Sequence, residues 1–448
     1  MKKSRYNHIW DLENGKKIAF NSLSCGLAEI DNEFLEVLEN IDKIDYDKLE
    51  GQEKELIDNM LLGNFIIQDY VDEFKLIKFR HYQGKFSTNS LGLTIAPTLN
   101  CNFKCPYCYE TPNTHMMDET IKEAIIRYVK QMSKSINQLQ ITWYGGEPII
   151  AKDIIFDLSE KLIKICEENN CTYGAFIVTN GYLLNDEIIS KLKEYKIHGA
   201  QVTLDGPPTI HNKRRILKNG ENTFDKILEN IKKLKEQSIR VSIRINIDKE
   251  NESYVEELLD ILKDNGLNDL DISLGHVTDY TDACKSISGS CLSNEEYANL
   301  SLEYQKILHN KNFAANSYPY YPGIKANYCC ADQINSFVID SKGYMYKCWN
   351  NVGDTTKSVG NITELDKNID KIMMSNNIDW MTTTPFEYQE CIDCDILPIC
   401  MGGCPYNLKR EGTPQCEKWR YNLDEILKYT YEYKESEENL EEGSLCGI

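Results

Sequence analysis

The segment Cys101-Asn102-Phe103-Lys104-Cys105-Pro106-Tyr107-Cys108 follows an apolar strand candidate, Leu91–Ile95. Three thiolates spaced in this way can ligate three irons of one 4Fe–4S cluster and leave the fourth iron open to a small ligand. Zinc is the alternative, but a structural zinc site normally has four ligands, often as paired Cys-x-x-Cys units. With no fourth ligand nearby, the segment predicts an open iron–sulfur cluster on a loop at the end of a strand.

Around this segment, strand and helix patterns alternate. The strand candidates are Leu91–Ile95, Gln140–Tyr144, Ala175–Thr179, Gly199–Leu204, Val241–Ile247 and Asp269–Leu274. Helical patterns lie between or after them, at Ile121–Met132, Ile154–Glu167, Thr223–Gln237, Ser253–Asn265 and Asn294–Leu308. This rhythm predicts an α/β fold over residues 91–312, a partial (β/α)6 TIM-like barrel with its chemistry at the carboxyl ends of the strands.

Two further regions flank the predicted barrel. Residues 1–90 combine strand-like Lys16–Asn21 and Asn64–Ile67 with helical patterns at Glu33–Asn40 and Glu53–Leu62, which predicts a small α+β domain. From residue 313 the periodicity fades and cysteine, glycine and proline dominate, so we expect metal crosslinks to hold residues 313–430 together. Residues 431–448 are predicted to form a solvated acidic tail.

Composition excludes several classes of function. The formal charge of −20 disfavours binding to nucleic acid. No apolar stretch approaches the roughly 18–20 residues that span a bilayer, and the start lacks the apolar core of a signal peptide. We therefore expect a cytoplasmic protein. Disulfides do not persist in the cytoplasm, so 17 cysteines indicate metal or redox chemistry. Six cysteines lie outside the two clusters, and most of them are expected to be small buried side chains: Cys25, Cys166, Cys171, Cys284, Cys291 and Cys446.

The Cys-x3-Cys-x2-Cys spacing, with Tyr107 as the aromatic residue before the last cysteine, resembles the signature of radical S-adenosylmethionine (SAM) enzymes. The resemblance implies that the open iron binds the amino and carboxylate groups of SAM. It also implies that electron transfer from the cluster yields methionine and a 5′-deoxyadenosyl radical, which abstracts a hydrogen atom.

Companion motifs follow later strands. Trp143-Tyr144-Gly145-Gly146-Glu147-Pro148 resembles the family's Gly-Gly-Glu-Pro motif, in which glycines let the backbone approach the ligand's ammonium and Glu147 offers an acceptor. Thr203 and Arg215 would contact the methionine carboxylate, although a plain surface arginine is the alternative for Arg215. His211 is expected to be structural. By resemblance the cofactor-binding residues are Tyr107, Gly145, Gly146, Glu147, Pro148, Asn180, Thr203 and Arg215.

A second cysteine pattern lies near the carboxyl terminus. Cys391-x2-Cys394-x5-Cys400-x3-Cys404, with Cys416 beyond, is preceded by Cys330, twelve residues, Gly343, four residues and Cys348. Over about residues 320–420 this pattern resembles the SPASM domain, which holds auxiliary clusters. The resemblance implies one auxiliary 4Fe–4S cluster on Cys391, Cys394, Cys400 and Cys416 and another on Cys330, Cys348 and Cys404.

The fourth ligand of the second set is open at this point. Residues 331–340 lack the cysteine that the full pattern usually has. Cys329 could serve, but two neighbouring side chains rarely converge on one cluster without strain. We favour an iron left open to a substrate thiolate, because ligation would deprotonate the thiol and hold its sulfur ready for reaction.

The resemblance leaves three functions. The favoured one is a maturase of ribosomally synthesised peptides, of the thioether, sactipeptide or ranthipeptide type, which installs a thioether or carbon–carbon crosslink in a cysteine-containing precursor. An anaerobic sulfatase-maturating enzyme, which forms formylglycine, is the second. In that family an aspartate acts as the base at the position where this chain has Trp349. A non-catalytic electron carrier is the third, but a carrier needs neither Gly145–Pro148 nor a barrel.

Partners follow from the favoured function. Residues 1–90 resemble the winged-helix element that docks a leader peptide by adding it to a sheet edge, with a plain structural extension as the alternative. An external donor such as flavodoxin or ferredoxin would supply electrons. We expect no catalytic residue beyond the cluster to be identifiable from sequence alone.

Overall fold

The computed structural model describes residues 1–313, 321–365 and 371–445. Its strands are β1 (Lys2–Lys3), β2 (Asn7–Asp11), β3 (Lys17–Asn21), β4 (Gly26–Ile30), β5 (Ile66–Ile67), β6 (Ser90–Ile95), β7 (Gln138–Trp143), β8 (Thr172–Thr179), β9 (Ile197–Thr203), β10 (Arg240–Ile247), β11 (Asp271–His276), β12 (Ser336–Ile339), β13 (Tyr344–Tyr346) and β14 (Gly360–Asn361).

Its helices are α1 (Asn32–Asn40), α2 (Gly51–Leu62), α3 (Glu73–Lys85), α4 (Glu119–Met132), α5 (Lys152–Glu168), α6 (Asp186–Glu194), α7 (Pro208–Arg214), α8 (Phe224–Glu236), α9 (Val255–Asp264), α10 (Asn294–Asn310), α11 (Lys371–Thr382), α12 (Gln389–Ile392), α13 (Leu397–Cys400), α14 (Pro405–Glu411) and α15 (Trp419–Leu445).

A nine-stranded sheet organises the molecule, in the order β11-β10-β9-β8-β7-β6-β12-β13-β14. The strands from β6 to β11 are parallel neighbours in chain order, which confirms the predicted parallel α/β architecture. Helices α6 and α7 were not predicted. Helix α4 begins where the Asp118 side chain accepts a hydrogen bond from the Ile121 N–H, and its buried face joins the core under the sheet.

The sheet continues beyond the predicted boundary at residue 313. Strand β12 pairs in parallel with β6, with Ser336 opposite Gly92, and β13 and β14 extend it in antiparallel fashion. Ile339 and Met345 belong to the same hydrophobic core as the parallel strands. Part of residues 313–430 is therefore built into the main sheet, which adds to the metal crosslinks expected for this region.

The amino-terminal region has its own small core. Strands β2, β3 and β4 form an antiparallel sheet, and β1 pairs with β5. The core contains Ala19, Phe34, Ile57 and Phe65. The α+β character predicted for residues 1–90 is confirmed; helix α3, which begins at the Asp72 cap, was not predicted.

The predicted acidic tail is helical. Helix α15 continues to Leu445 after a kink at Asn422, and Ile426 and Leu427 pack with Phe20 of β3. Lys16 forms an ion pair with Glu435, so at least this part of the tail docks on the amino-terminal hairpin. Glu432, Lys434 and Ser436 are exposed, so the predicted solvation of residues 431–448 stays a prediction, to which the structure adds a helix and one ion pair.

The remaining cysteines divide by burial. Cys166, Cys171 and Cys284 are buried, as expected of small core side chains, whereas Cys25 and Cys291 are half-buried. Cys446 lies outside the described residues. Within those residues we find no helix that combines the length and the apolar character required to cross a membrane.

Candidate active site

The first cysteine loop interlocks with the loop that follows β7. The Glu147 N–H donates to the Asn100 carbonyl at 2.9 Å, and the Gly146 N–H donates to the Thr98 carbonyl at 3.3 Å. A Cβ on Gly146 would lie 2.5 Å from the carbonyl oxygens of Asn100 and Leu99. Glycine is required here because the two backbones touch, a structural reason that adds to the predicted approach to a ligand.

Glu147 holds the end of β8 against this loop. Its carboxylate is fully buried, with Oε1 accepting from the Ile149 N–H at 3.0 Å and the Thr179 hydroxyl at 2.7 Å. Oε2 accepts from the Asn180 N–H at 2.7 Å. Burial raises the pKa of this carboxyl, while the hydrogen bonds oppose the increase. The structure thus gives Glu147 a positioning role; acceptance from a ligand ammonium stays a prediction.

Asn180 carries the contact on to the cysteines. Its Nδ2 donates to the Asn102 side-chain oxygen at 2.8 Å and lies 4.0 Å from the Cys101 sulfur. Burial raises the pKa of both Cys101 and Cys108 to about 12, and it also raises that of Cys105. Buried thiols of this kind ionise when a metal supplies positive charge, so the all-thiol donor set fits an iron–sulfur cluster.

Tyr107 joins the cysteine loop to the ends of β9 and β10. Its hydroxyl donates to Asp205 Oδ2 and accepts from Arg215 Nη1 at 2.9 Å. Asn246 Nδ2 lies 3.5 Å from the same hydroxyl. Thr203, at the end of β9, is buried. The cysteine loop, the ends of β9 and β10 and the segment after α7 therefore meet at one edge of the sheet.

Arg215 is buried, so the alternative of a surface arginine is wrong. Its side chain lies over the Phe103 ring at 5.5 Å, and only 9% of the residue is exposed. Its Nε is buried without a hydrogen-bond partner. A buried guanidinium with a free donor fits an anionic ligand such as a carboxylate.

Asp205 and His211 support this arrangement. The Asp205 N–H donates to His211 Nδ1 at 3.2 Å, and Asp205 Oδ1 accepts from the Asn246 N–H at 3.0 Å. Burial, reinforced by the nearby Arg215 and Arg214, holds the pKa of His211 well below its usual value. The neutral ring acts as a structural acceptor, in keeping with the role expected of it. Asp205 was not predicted as a site residue, although it follows Thr203 at the same strand end.

The second cysteine region contains the two predicted sets of thiols. Burial and the nearby thiols of Cys400, Cys394 and Cys416 raise the pKa of Cys391 to about 12. Burial and the nearby Cys404 and Cys330 raise the pKa of Cys348 to about 12. Thiols of the same predicted set are therefore near enough to influence one another's pKa, and their ligation of a cluster stays a prediction. Among the described residues, no three His, Cys, Asp or Glu side chains converge on a position suited to a single metal ion.

Cys329 lies against the second set. Its thiol shares a hydrogen bond with the Cys330 thiol, and the charges of both thiols oppose the lowering of the pKa of Lys347 that burial causes. Cys329 is extended, with φ −150° and ψ −178°, and a 3-10 turn begins at Cys330. Whether Cys329 and Cys330 converge on one cluster stays a prediction, as does the alternative of an open iron.

Sequence reasoning missed a buried cluster between the two cysteine regions. Glu110 is only 8% exposed, and burial raises its pKa to about 7, while a hydrogen bond with Tyr144 opposes the increase. The Tyr144 hydroxyl also bonds the Tyr109 hydroxyl, and its ring centroid lies 4.3 Å from that of Trp349. A signal existed: Glu110 and Tyr144 stand immediately beside the two motifs that predict the chemistry.

Residues 95–262 match the family model described as Radical SAM superfamily. The chain contains a radical SAM domain. It is 24% identical over 378 residues to the cysteine-type anaerobic sulfatase-maturating enzyme of Clostridium novyi, covering 76% of this chain and 97% of that enzyme. It is 21% identical over 445 residues to the radical SAM cyclopropyl synthase TigE of Paramaledivibacter caminithermalis, covering 90% and 89% of the two chains.

A solved structure shows the same fold. The crystal structure of Streptococcus suis SuiB bound to precursor peptide SuiA matches with a TM-score of 0.53 at 18% identity, covering 93% of this chain and 98% of that one. With its radical SAM domain, this protein is an enzyme that uses a 4Fe–4S cluster and SAM, and its other cysteines are consistent with auxiliary clusters. The alternative of a non-catalytic electron carrier does not account for this domain.

Proposed function

We propose that this radical SAM enzyme is a maturase that installs a thioether or carbon–carbon crosslink in a ribosomally made, cysteine-containing precursor peptide. The observation that carries the proposal is a cavity of about 730 Å³ between the first cysteine loop and the second cysteine region. Tyr109 lines it on one side, and Tyr406 and Asn350 line it on the other. A peptide in this cavity would lie beside the segments that follow Cys108, Cys348 and Cys404.

Residues of the chain would hold the cofactors. When bound, the cluster and SAM supply the 5′-deoxyadenosyl radical that abstracts hydrogen from the substrate. Cys101, Cys105 and Cys108 would ligate the cluster, and Arg215 would pair with the SAM carboxylate through its free Nε. The other proposed SAM contacts are Tyr107, Gly145, Gly146, Glu147, Pro148, Asn180 and Thr203.

The second cysteine region would hold two auxiliary clusters as a SPASM domain. One would be ligated by Cys391, Cys394, Cys400 and Cys416 and the other by Cys330, Cys348 and Cys404. For the fourth ligand of the latter, the contact between the Cys329 and Cys330 thiols now favours Cys329 over an open iron. A substrate thiol would then react beside this cluster rather than as its ligand.

Trp349 supports crosslinking over formylglycine formation. It occupies the position at which a sulfatase-maturating enzyme would be expected to have an aspartate that acts as a base. Trp349 has no carboxylate, and its ring packs on Tyr144. Sulfatase maturation remains the second candidate because the Clostridium novyi relative, matched over nearly its whole length, has that activity in its name.

The amino-terminal region would dock the leader peptide as a winged-helix-like element. Strand β4 is an edge strand of the β2-β3-β4 sheet, and within the described residues no strand pairs with its outer side. Such an edge accepts an extended peptide through backbone hydrogen bonds. The SuiB structure, which contains a precursor peptide, aligns over 93% of this chain. The barrel would then comprise residues 91–312, and the SPASM domain residues 313–430. The enzyme would be cytoplasmic, and flavodoxin or ferredoxin would reduce it.

The experiment is anaerobic incubation of the reconstituted enzyme with SAM, reductant and a cysteine-bearing peptide encoded beside its gene. We expect mass spectrometry to show 5′-deoxyadenosine and a peptide that has lost two hydrogens. The Cys105→Ala variant should lose about four irons and form neither product, since cysteine thiolates ligate the cluster. Formylglycine in a sulfatase peptide, with the neighbouring peptide unchanged, would favour the second candidate.

A further inference from the structure

Glu110 has a buried carboxylate oxygen without a partner. The residue is 8% exposed, and its Oε1 accepts no hydrogen bond. Among the described residues, none of the ion pairs involves Glu110. A buried acceptor that has lost water and gained no donor costs free energy, so native proteins retain few of them. Its retention is explained if a bound molecule supplies the donor.

The carboxylate lies between the two cysteine regions. On one side its charge acts on the Cys108 thiol. On the other side Tyr144 contacts it, and the Tyr144 ring packs on Trp349, which follows Cys348. A group bound at Glu110 would therefore be adjacent to both.

The proposed substrate cavity runs along the segment that carries Glu110, whose carboxylate is buried behind the cavity wall. Tyr109 and Thr111, the residues on either side of Glu110, both line the cavity. The Thr281 hydroxyl donates to the Tyr109 carbonyl at 2.8 Å, which holds the loop against the cavity wall. Tyr280 and Tyr406 line the cavity farther out, with ring centroids 6.3 Å apart. An extended peptide chain has room to enter along these rings.

We propose that Glu110 is a substrate-contacting residue: its Oε1 accepts a hydrogen bond from a backbone N–H, hydroxyl or thiol of the peptide, at the residue that is modified. This inference rests on the proposed peptide-modifying function. Tyr144 and Trp349 act as positioning residues, because they fix the other side of the carboxylate. The peptide is favoured as the donor because Tyr109 and Thr111, the chain neighbours of Glu110, line the proposed substrate cavity. SAM, whose proposed contact Gly145 follows Tyr144 directly, is the alternative that the test distinguishes.

The test compares Glu110→Ala and Glu110→Gln with the wild-type enzyme. The readout is the ratio of modified peptide to 5′-deoxyadenosine, together with iron content and the change that SAM causes in the cluster's EPR spectrum. We expect Glu110→Ala to lower the ratio about ten-fold or more, the effect of losing one hydrogen bond to a charged group. Glu110→Gln should give a ratio between those of the wild type and Glu110→Ala, since its amide oxygen still accepts a hydrogen bond. Glu123→Gln, on the exposed face of α4, controls for the loss of one negative charge.

Three results would overturn the inference. An unchanged ratio would mean that Glu110 does not contact the peptide. If the yields of modified peptide and of 5′-deoxyadenosine fell together and the SAM-dependent EPR change were lost, Glu110 would contact SAM rather than the peptide. Reduced iron content would assign it to holding the cysteine loop. If the wild-type enzyme cleaves SAM and modifies no peptide, the proposed function itself fails, a result distinct from these three.

Discussion

Arg215 and Cys329 show how much single side chains depend on their surroundings. Arg215 could have been any exposed arginine, yet it is buried between Tyr107 and Phe103 with one donor free. Cys329 follows no recognised spacing, yet its thiol reaches that of Cys330. For both residues, the proposed role follows from burial and from contacts that the sequence does not show.

The Cys329→Ala variant tests the fourth ligand of the Cys330–Cys348–Cys404 set. We expect it to lose about one to four irons per chain and to show a three-iron EPR signal or none from this cluster, because one thiolate is missing. Added 2-mercaptoethanol should partly restore the four-iron spectrum by replacing that thiolate. Cys291→Ala, which removes a half-buried cysteine outside the ligand sets, is the matched control. Wild-type iron and spectra in Cys329→Ala would restore the open-iron hypothesis.

His211 gives a pH dependence of stability. Because its pKa is lowered in the folded state, the unfolded chain binds a proton that the folded chain does not as the pH falls below about 6.5. The stabilisation is complete above that pH and is lost progressively below it, by up to about 1.4 kcal/mol per pH unit. His211→Asn, whose side-chain oxygen can still accept from the Asp205 N–H, should therefore lose less Tm than the wild type on acidification. Equal losses would mean that His211 titrates normally.

Loops and strand ends, rather than whole helices, build the site. The loop after β6, the loop after β7 and the end of β8 are joined by Gly146, Glu147 and Asn180 through backbone and carboxylate hydrogen bonds. Parallel strands bring their carboxyl ends to one edge, so residues far apart in the chain meet there.

The close contact at Gly146 can be tested at this level. In Gly146→Ala the new methyl group would press on the carbonyl oxygens of Asn100 and Leu99, which belong to the cysteine loop. We expect iron content and SAM cleavage to fall at least about ten-fold, because overpacking of well-packed backbone displaces it. Gly289→Ala is the matched control, since a Cβ there meets nothing within 4 Å. Full activity in Gly146→Ala would mean that the two loops separate easily.

At the scale of the whole molecule, the amino-terminal, central and carboxyl-terminal regions pack against one another. Strand β12 extends the main sheet beside β6, and Phe20 of the amino-terminal sheet packs with Ile399 and Leu427 near the carboxyl terminus. Removing residues 1–90 would therefore expose apolar surface as well as remove the proposed docking edge. Substitutions at that edge are the cleaner way to examine leader binding.

The shared sheet predicts that the carboxyl-terminal region retains structure without iron. In the iron-free protein we expect backbone amides of β12 to remain protected in hydrogen–deuterium exchange, because they pair with β6 and Ile339 is buried in the main core. Amides near Cys391 and Cys394 should exchange faster than in the iron-loaded protein. Exchange of β12 at the rate of an exposed loop would show that metal, and not the sheet, holds this region.

The sequence by itself determined the parallel α/β architecture and the three-cysteine loop, and it predicted the grouping of the later cysteines. These features are local: alternating periodicities define strands and helices, and ligands of one cluster recur at short, characteristic spacings. The radical SAM domain was predicted for the same reason, since Cys101–Cys108 and Gly145–Pro148 each carry their chemistry within a few residues.

Only the tertiary structure decided which groups surround the proposed substrate. Glu110, Tyr144 and Trp349 come from three separate loops, and no short-range pattern links them. The addition of β12 to the main sheet and the docking of α15 on the amino-terminal hairpin were missed for the same physical reason. Such contacts arise when distant segments bury apolar surface against one another, so they depend on the packing of the whole chain and not on the periodicity of any one segment.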